Sequence, residues 1–206
     1  MKLLILGGFL GSGKTSILIP AAKAIVNAEG GGDKTRVAIV ENEIGQVGID
    51  TAFTDDQGFS TTEMFNGCVC CTLASTLMET LCKLQQDVDP EWVILEATGL
   101  ARPHDIAESV LRYYDENMTV ASCITVDAKR WNKIKRVAEE LAFEQVKYAD
   151  YVLINKTDLV DRDTVEGIEA ELKSISGGRV LKISAFADPE GTALVCKDIV
   201  NEIKSL

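Results

Sequence analysis

The sequence predicts an α/β fold in which a mainly parallel sheet carries helices on both faces. Short apolar runs alternate with longer amphipathic stretches along the 206 residues, and this alternation is typical of repeated strand–helix–strand units. A glycine-rich segment lies directly between the first apolar run and the first long amphipathic stretch, as is common where a strand leads into a helix in such folds. The length suits one ordinary domain, so we expect residues 1–206 to form a single unit.

Six near-continuous apolar runs are predicted to be strands, because a strand covered on both faces has no polar side. They span residues 2–6, 36–40, 92–95, 119–126, 151–154 and 180–183. The stretches between them predict helices over residues 14–28, 73–86, 104–113, 129–147, 161–175 and 189–203. Residues 41–66 have no clear period, so we expect a long irregular loop there, and such loops are often functional.

Charge and hydropathy exclude several classes of protein. The formal net charge of −11 would repel a phosphate backbone, so nucleic acid is not expected as a partner. No segment approaches the roughly 20 consecutive apolar residues that cross a bilayer. The opening apolar run ends at Gly7 and leads into a glycine loop, which indicates a buried strand rather than a signal peptide. We therefore expect a cytoplasmic protein without a membrane partner.

Residues 8–15 read GFLGSGKT and satisfy the pattern G-x-x-x-x-G-K-[ST] between a strand and a helix. Glycines let successive backbone N–H groups turn toward a phosphate, and the helix N-terminus adds a partial positive charge. Lys14 is predicted to act catalytically on the β- and γ-phosphates, and Thr15 to ligate Mg²⁺. The predicted phosphate-binding residues are Gly8, Gly11, Ser12, Gly13, Lys14, Thr15 and Ser16.

A second segment predicts which base is bound. Residues 155–158 read NKTD after an apolar run, which is the N-K-x-D element of many GTPases. The Asp158 carboxylate can accept from guanine N1–H and the N2 amino group, whereas adenine presents an acceptor and no amino group there. A site built for those donors rejects a ligand that lacks them. GTP or GDP is therefore favoured over ATP, and the predicted base-binding residues are Asn155, Lys156, Asp158, Ser184 and Ala185.

Two further stretches are candidates for nucleotide-sensing switches. Glu96 follows an apolar run, which places an acid at the carboxyl end of a strand, where open α/β sheets bind ligands. It is predicted to lie in the outer coordination sphere of Mg²⁺ and to contribute to catalysis. Gly99 can bring its N–H close to the γ-phosphate. Asp50, in the irregular stretch, is a candidate to contact Mg²⁺ or position the attacking water, and it can equally be an exposed loop carboxylate.

Three cysteines crowd together just before a predicted helix. Cys68, Cys70 and Cys71 place three sulfurs within four residues, and a helix N-terminus lowers thiol pKa values toward the metal-binding form. A structural zinc site normally has four protein ligands, so three thiolates with a replaceable fourth donor suit metal exchange. Glu41, water or a client's ligand can be that donor. A redox-active thiol pair and a purely structural loop stay open as alternatives.

The other three cysteines lie far apart in the sequence, each among apolar residues. We expect Cys82, Cys123 and Cys196 to be buried thiols, because free cysteine is among the most buried residue types.

Five segments, taken together and in order, resemble the CobW/HypB/UreG family: residues 8–16, 41–50, 67–72, 96–99 and 155–158. The resemblance is closest to the CobW branch and covers nearly the whole chain. It implies one CobW-like GTP-binding domain of the SIMIBI class, with slow hydrolysis, a Mg²⁺-GTP site and a Cys-x-Cys-Cys metal site linked to the switches. Family members deliver zinc, cobalt or nickel, and some pair through their nucleotide-bound faces.

Two departures from the family pattern stand out. Many CobW relatives carry Thr-Gly-x-Ala-Asp-Pro where this chain has Arg102 in place of the acid, and the basic residue is expected to contact phosphate or a partner. Relatives often also have a C-terminal domain and His-rich segments. This sequence stops soon after the last predicted helix, so we expect those parts to be absent or supplied by another protein.

The sequence therefore predicts a GTP-hydrolysing metallochaperone or metal insertase, with Zn²⁺ the favoured metal and Co²⁺ or Ni²⁺ as alternatives. Its expected partners are a client metalloprotein or corrinoid protein and, with nucleotide bound, a second copy of the chain. The main rival is a GTPase switch that activates such a client without carrying metal. A P-loop kinase acting on a small molecule and a noncatalytic scaffold are the remaining rivals.

Overall fold

A seven-stranded parallel sheet forms the centre of the computed structural model, which describes residues 1–28, 37–41, 60–63 and 73–206. For residues 41, 60–63 and 73–76 it describes the backbone alone. The strands are β1 Lys2–Gly7, β2 Val37–Glu41, β3 Ser60–Glu63, β4 Trp92–Glu96, β5 Thr119–Asp127, β6 Tyr151–Asn155 and β7 Arg179–Lys182. Their spatial order is β3-β2-β4-β1-β5-β6-β7, and every pairing is parallel.

Helices connect successive strands wherever the structure describes the connection. They are α1 Lys14–Ala28, α2 Leu73–Asp87, α3 Pro103–Tyr113, α4 Trp131–Lys147, α5 Arg162–Ile175 and α6 Pro189–Lys204, with a 3₁₀ turn at Thr157–Leu159. Among these helices, none has the length and apolarity needed to cross a membrane.

The predicted fold class is confirmed, and each predicted strand and helix is present with bounds within two residues of those expected. The interpretation of residues 41–66 as wholly irregular was wrong, because β3 lies within them. This strand reads STTE and sits at the end of the described sheet. An edge strand has no need of an apolar face on both sides, so hydrophobic runs do not reveal it.

The side chains of β1 alternate between two cores, one on each face of the sheet. Leu4 and Leu6 pack with α1 and α6, whereas Leu3 and Ile5 pack with α2 and α3. Farther along the sheet, a third cluster joins β5 and β6 to α4 and α5. Because successive residues of a strand point to opposite faces, a strand apolar at every position must be covered on both.

The dispersed cysteines lie in different environments. Cys123 and Cys196 are buried in the core between the sheet, α1 and α6, as expected, whereas Cys82 is exposed and that prediction was wrong. Burial raises the pKa of the Cys196 thiol to about 12 and also holds the pKa of Cys123 above its ordinary range. Both buried thiols therefore stay protonated at neutral pH, and neither is suited to bind a metal.

The arrangement of strands fixes where a ligand can bind. The chain crosses from one side of β1 to the other between β4 and β5, so β1 lies at the point where the strand order reverses. Open parallel sheets bind ligands at the carboxyl ends of the strands beside such a point. The loop after β1 is therefore flanked by the ends of β4 and β5.

We expect Ser122→Ala to lower the free energy of unfolding by about 1–3 kcal/mol, because it removes one side of a half-buried reciprocal contact. Asp150 Oδ2 accepts from the Ser122 N–H at 2.7 Å and its hydroxyl at 2.9 Å, and the Asp150 N–H donates back to Ser122 Oγ at 3.1 Å. Urea unfolding measures the change. Ser109→Ala is the matched control, since that hydroxyl makes only a solvent-exposed bond to Asp105. Equal effects of the two substitutions would contradict the expectation.

Candidate functional site

The loop between β1 and α1 adopts a conformation that its glycines permit. Gly8, Gly11 and Gly13 have φ values of 122°, 71° and 105°, which side chains with a Cβ rarely adopt. Lys14 at the start of α1 is 7% exposed, and its ammonium group donates to the Gly8 carbonyl at 3.1 Å. The loop thus closes around the lysine expected to contact phosphates. Ser12 is also buried, whereas Thr15 and Ser16 are exposed.

A buried carboxylate stands beside this loop. Glu96, at the end of β4, is 7% exposed and accepts from the Thr15 hydroxyl with both oxygens, at 3.1 and 3.2 Å. Two residues separated by 81 positions are therefore brought together at the carboxyl ends of neighbouring strands. Hydroxyl and carboxylate oxygens are the donors that Mg²⁺ prefers, so the pair fits the predicted role of Thr15 and Glu96.

The side-chain amide of Asn155 joins three segments of the chain. Its Nδ2 donates to the Ser12 carbonyl at 2.9 Å, while Oδ1 accepts from the N–H groups of Lys156 at 2.8 Å and Ala185 at 3.0 Å. Asn155 is only 2% exposed. The predicted phosphate-binding loop and the two predicted base-binding segments are therefore held against one another.

An ionic cluster ties the same segments a second time. Lys156 Nζ donates to the Gly11 carbonyl at 2.6 Å and to Asp127 Oδ2 at 2.8 Å. Arg130 Nε donates to Asp127 Oδ2 at 2.8 Å, and its Nη2 donates to the Leu10 carbonyl at 2.7 Å. Burial alone would raise the pKa of Asp127, but the hydrogen bonds and charges of Lys156 and Arg130 outweigh it and hold that pKa below its ordinary value.

Hydroxyl groups order the loop that follows Asn155. Thr157 Oγ1 donates to the Ile183 carbonyl at 3.0 Å and lies 2.7 Å from Ser184 Oγ, which accepts from the Asp158 N–H at 3.2 Å. Asp158 itself is exposed. The nearby helix α5 is capped separately, because Asp161 Oδ1 accepts from the Thr164 N–H. Asp158 is therefore not needed as the helix cap.

The segment after β4 packs directly on the phosphate-binding loop. A Cβ on Gly99 would lie 2.7 Å from the Leu10 nitrogen, so the backbones meet here without room for a side chain. Gln145, which is 4% exposed on α4, donates to the Gly99 and Ala101 carbonyls at 3.3 and 2.7 Å. The next residue, Arg102, forms a surface ion pair with Glu144.

Cys68, Cys70, Cys71 and Asp50 lie outside the described residues, and within residues 1–28, 37–41, 60–63 and 73–206 no group of three His, Cys, Asp or Glu could hold a metal. Glu41 is placed by its backbone alone. It ends β2 directly opposite Glu96 of β4 and Glu63 of β3.

Sequence reasoning missed three residues of this site: Asp127, Arg130 and Gln145. Asp127 had a usable signal, because it directly follows an apolar run and so stands at the carboxyl end of a strand, like Glu96. Arg130 and Gln145 had none. Their contacts depend on the direction in which α4 leaves β5, which the sequence pattern does not encode.

The fold and its glycine loop define a P-loop NTPase domain. The chain belongs to the CobW/HypB/UreG family, whose nucleotide-binding domain model matches residues 2–181.

Curated relatives agree with this family but are longer than the chain. The zinc-regulated GTPase metalloprotein activator 1 of Dictyostelium discoideum is 29% identical over 211 residues, covering 84% of this chain and 43% of its own length. The zinc chaperone YjiA of Escherichia coli is 30% identical over 168 residues, covering 75% of this chain and 49% of its own length. The chain thus spans about half the length of these relatives.

Solved structures share the fold. The Zn(II)-bound YjiA GTPase from E. coli matches with a TM-score of 0.60 at 25% identity, covering 89% of this chain and 57% of that one. The hydrogenase maturation factor HypB from Archaeoglobus fulgidus matches with a TM-score of 0.66 at 16% identity, covering 98% and 90%. The second likeness concerns the fold alone.

We expect Asp127→Asn to lower the free energy of unfolding by about 1–3 kcal/mol at neutral pH. A carboxylate whose pKa is lowered by folding stabilises the protein above its unfolded pKa, and that contribution is lost as the pH falls through the folded pKa. The difference between wild type and variant should therefore stay constant from pH 8 to 5 and shrink below the ordinary value of 3.8. Urea unfolding across this range measures it, with the exposed Asp198→Asn as control. A difference that grew on acidification would refute the ionic role.

Proposed function

We propose that this chain is a GTP-binding and GTP-hydrolysing metallochaperone or metal insertase, whose metal site is coupled to the nucleotide. The observation that carries the proposal is the pair of contacts from Asn155 to the Ser12 carbonyl and from Lys156 to the Gly11 carbonyl. These contacts support the proposal because they join the predicted base-binding segment to the predicted phosphate-binding loop, so that one nucleotide could span both. Family relatives named as GTPases support the same reading.

Each residue around the predicted phosphate site has a proposed role. Lys14 would exchange its bond to the Gly8 carbonyl for the β- and γ-phosphates, because charged phosphate oxygens are stronger acceptors for an ammonium group than a carbonyl is. The Thr15 hydroxyl and the Glu96 carboxylate would hold Mg²⁺, directly and through its water ligands. When bound, Mg²⁺ neutralises charge on the phosphate oxygens. We expect the Gly99 N–H to sense the γ-phosphate, because the Gly99 backbone lies against Leu10 of the predicted phosphate-binding loop.

The base end favours guanine. The Asp158 carboxylate is exposed and its backbone is fixed by Ser184 Oγ, so the side chain can accept two donors from the base. The Ala185 N–H, held at Asn155 Oδ1, belongs to the segment that would line the base. An adenine base offers neither of the two donors to Asp158, which is why we assign GTP rather than ATP as substrate.

The assignment of a metal is supported by the chemistry of the three cysteines and by the names of the relatives. Three thiolates from Cys68, Cys70 and Cys71, with Glu41 or a client's group as fourth donor, match the soft-ligand preference of zinc. Relatives are named zinc chaperones and zinc-regulated metalloprotein activators, so Zn²⁺ is the metal we assign as cargo, ahead of Co²⁺ or Ni²⁺. The recipient would be a client metalloprotein or corrinoid protein.

The nucleotide face also presents a surface for pairing. Leu10 and Leu100 are 77% and 75% exposed, and they stand on the two segments that meet at Gly99. Such apolar side chains at the edge of a phosphate site suit a nucleotide-dependent dimer with a second copy of the chain.

Asp158→Asn tests the base assignment. An asparagine amide donates where the carboxylate accepted, so we expect GTP affinity to fall about 100-fold or more and xanthosine triphosphate, which carries a carbonyl at C2, to bind better than to wild type. Calorimetry with GTP, ATP and xanthosine triphosphate measures this. The exposed Asp163→Asn on α5 is the matched control. Tight ATP binding by wild type would instead support a small-molecule kinase.

Coupling between metal and nucleotide is tested by an anaerobic metal titration of the protein with GTP or GDP bound. Co²⁺ is bound first, because its thiolate complexes absorb visible light, and Zn²⁺ is then added to displace it. We expect the metal dissociation constant to differ about 5- to 150-fold between the two nucleotides, and GTP affinity to change by the same factor when metal is bound. Equal affinities would remove the coupling.

A second candidate function is suggested by the relative named a metalloprotein activator: a GTPase that activates its client without carrying metal. Cys70→Ser separates the two candidates. A metal carrier with this change should lose metal delivery, whereas a pure switch should still bind its client in a GTP-dependent way. Cys82→Ser, at an exposed cysteine away from the cluster in sequence, is the control.

A further inference from the structure

Phe186 is the most exposed large apolar residue among those that the structure describes, at 97%. It lies between β7 and α6, two residues after Ser184, on a short loop closed by a bond from the Asp188 N–H to the Ser184 carbonyl at 2.7 Å. The preceding residue is fixed too, since the Ala185 N–H donates to Asn155 Oδ1. A phenyl ring is thus presented to solvent by a backbone that is held on both sides.

The position of this ring is not arbitrary. Strands β6 and β7 are parallel neighbours, so the loops that follow them emerge at the same edge of the sheet. These loops are joined by the contacts of Thr157 with Ile183 and Ser184, and of Ser184 with the Asp158 N–H. Leu159, the residue after Asp158, is also half exposed. Apolar surface is therefore available on both loops that would surround a base.

One charged side chain on these two loops, Lys156, is already bonded elsewhere. Lys156 extends toward Gly11 and Asp127, which fixes its ammonium group beside the phosphate-binding loop rather than over the loop of Phe186. Asp158 supplies an acceptor for the edge of a base but no surface for its face. A purine held at its edge by Asp158 is bound more tightly when its faces are covered as well. Covering a face with an aromatic ring is a common solution, because every base has a π-face.

We infer that Phe186 is a further nucleotide-binding residue, whose ring covers one face of the guanine base. The inference rests on the proposed function and adds to it a residue that determines affinity for the base, while Asp158 determines which base is bound. Stacking tolerates any purine, so the ring strengthens binding without changing the preference for guanine.

A single exposed apolar residue is ordinary on a protein surface, so the test must separate stacking from mere exposure. Tyr113 offers the matched comparison. It is an aromatic residue, 70% exposed, at the end of α3. Because α3 runs from the carboxyl edge of the sheet back toward the start of β5, Tyr113 lies at the edge opposite the proposed nucleotide site.

The experiment measures GDP and tripolyphosphate dissociation constants by calorimetry for wild type, Phe186→Ala, Phe186→Trp and Tyr113→Ala. We expect Phe186→Ala to weaken GDP binding about tenfold and to leave tripolyphosphate binding unchanged, because only the base is stacked. Phe186→Trp should bind GDP at least as tightly as wild type, and its indole emission should be quenched by GDP. Trp92 and Trp131 are 1% and 2% exposed and provide a constant background. Tyr113→Ala should match wild type with both ligands.

The outcomes separate the two proposals. If wild type binds GDP and Phe186→Ala binds it equally well, the inference is overturned while the proposed function stands. If Phe186→Ala weakens GDP and tripolyphosphate alike, the ring acts through the loop and not on the base, which also overturns it. If wild type binds no guanine nucleotide, the proposed function itself fails. Urea unfolding of each variant establishes that it is folded, and the exposure of Phe186 predicts no loss of stability.

Discussion

The buried amide of Asn155 is the contact on which the arrangement of the site depends. One side chain donates to the carbonyl of Ser12 and accepts from the N–H groups of Lys156 and Ala185, so it fixes three loops that are far apart in sequence. Asn155 is only 2% exposed, so its replacement by an apolar residue would leave several buried polar groups without partners. No aspartate could do the same, since a carboxylate cannot donate to a carbonyl.

The ionic cluster around Asp127 complements this amide by holding carbonyl groups rather than N–H groups. Lys156 and Arg130 each donate to Asp127 and to a loop carbonyl, of Gly11 and Leu10 respectively. Once these carbonyls are bonded to the two cations, the N–H groups of the loop stay available for a phosphate. The cations are partly exposed while the carboxylate is buried, so the cluster avoids the full desolvation of two charges.

Sequence patterns predicted the elements well because the sheet is buried on both faces and each strand is a run of apolar residues. They predicted Lys14 and Asn155 through short motifs, and Glu96 through its place at the carboxyl end of an apolar run. They missed β3, whose residues are polar. They also missed Gln145 and the bond from Arg130 to the Leu10 carbonyl, because the acceptors are backbone carbonyls on distant loops. A backbone acceptor leaves no trace in the sequence, so such contacts are visible only once the helices are placed.

The proposed link between metal and nucleotide has a short physical route. Glu41, the candidate fourth donor to the thiol cluster, is in register with Glu96, whose carboxylate binds the hydroxyl of Thr15. Neighbouring strands lie about 5 Å apart, so a change at one strand end reaches the other without any long chain of contacts. A shift of the backbone at the end of β2 would therefore be felt at the end of β4, where Glu96 lies. Coupling of this kind requires no rearrangement of the sheet, which is buried on both faces and resists deformation.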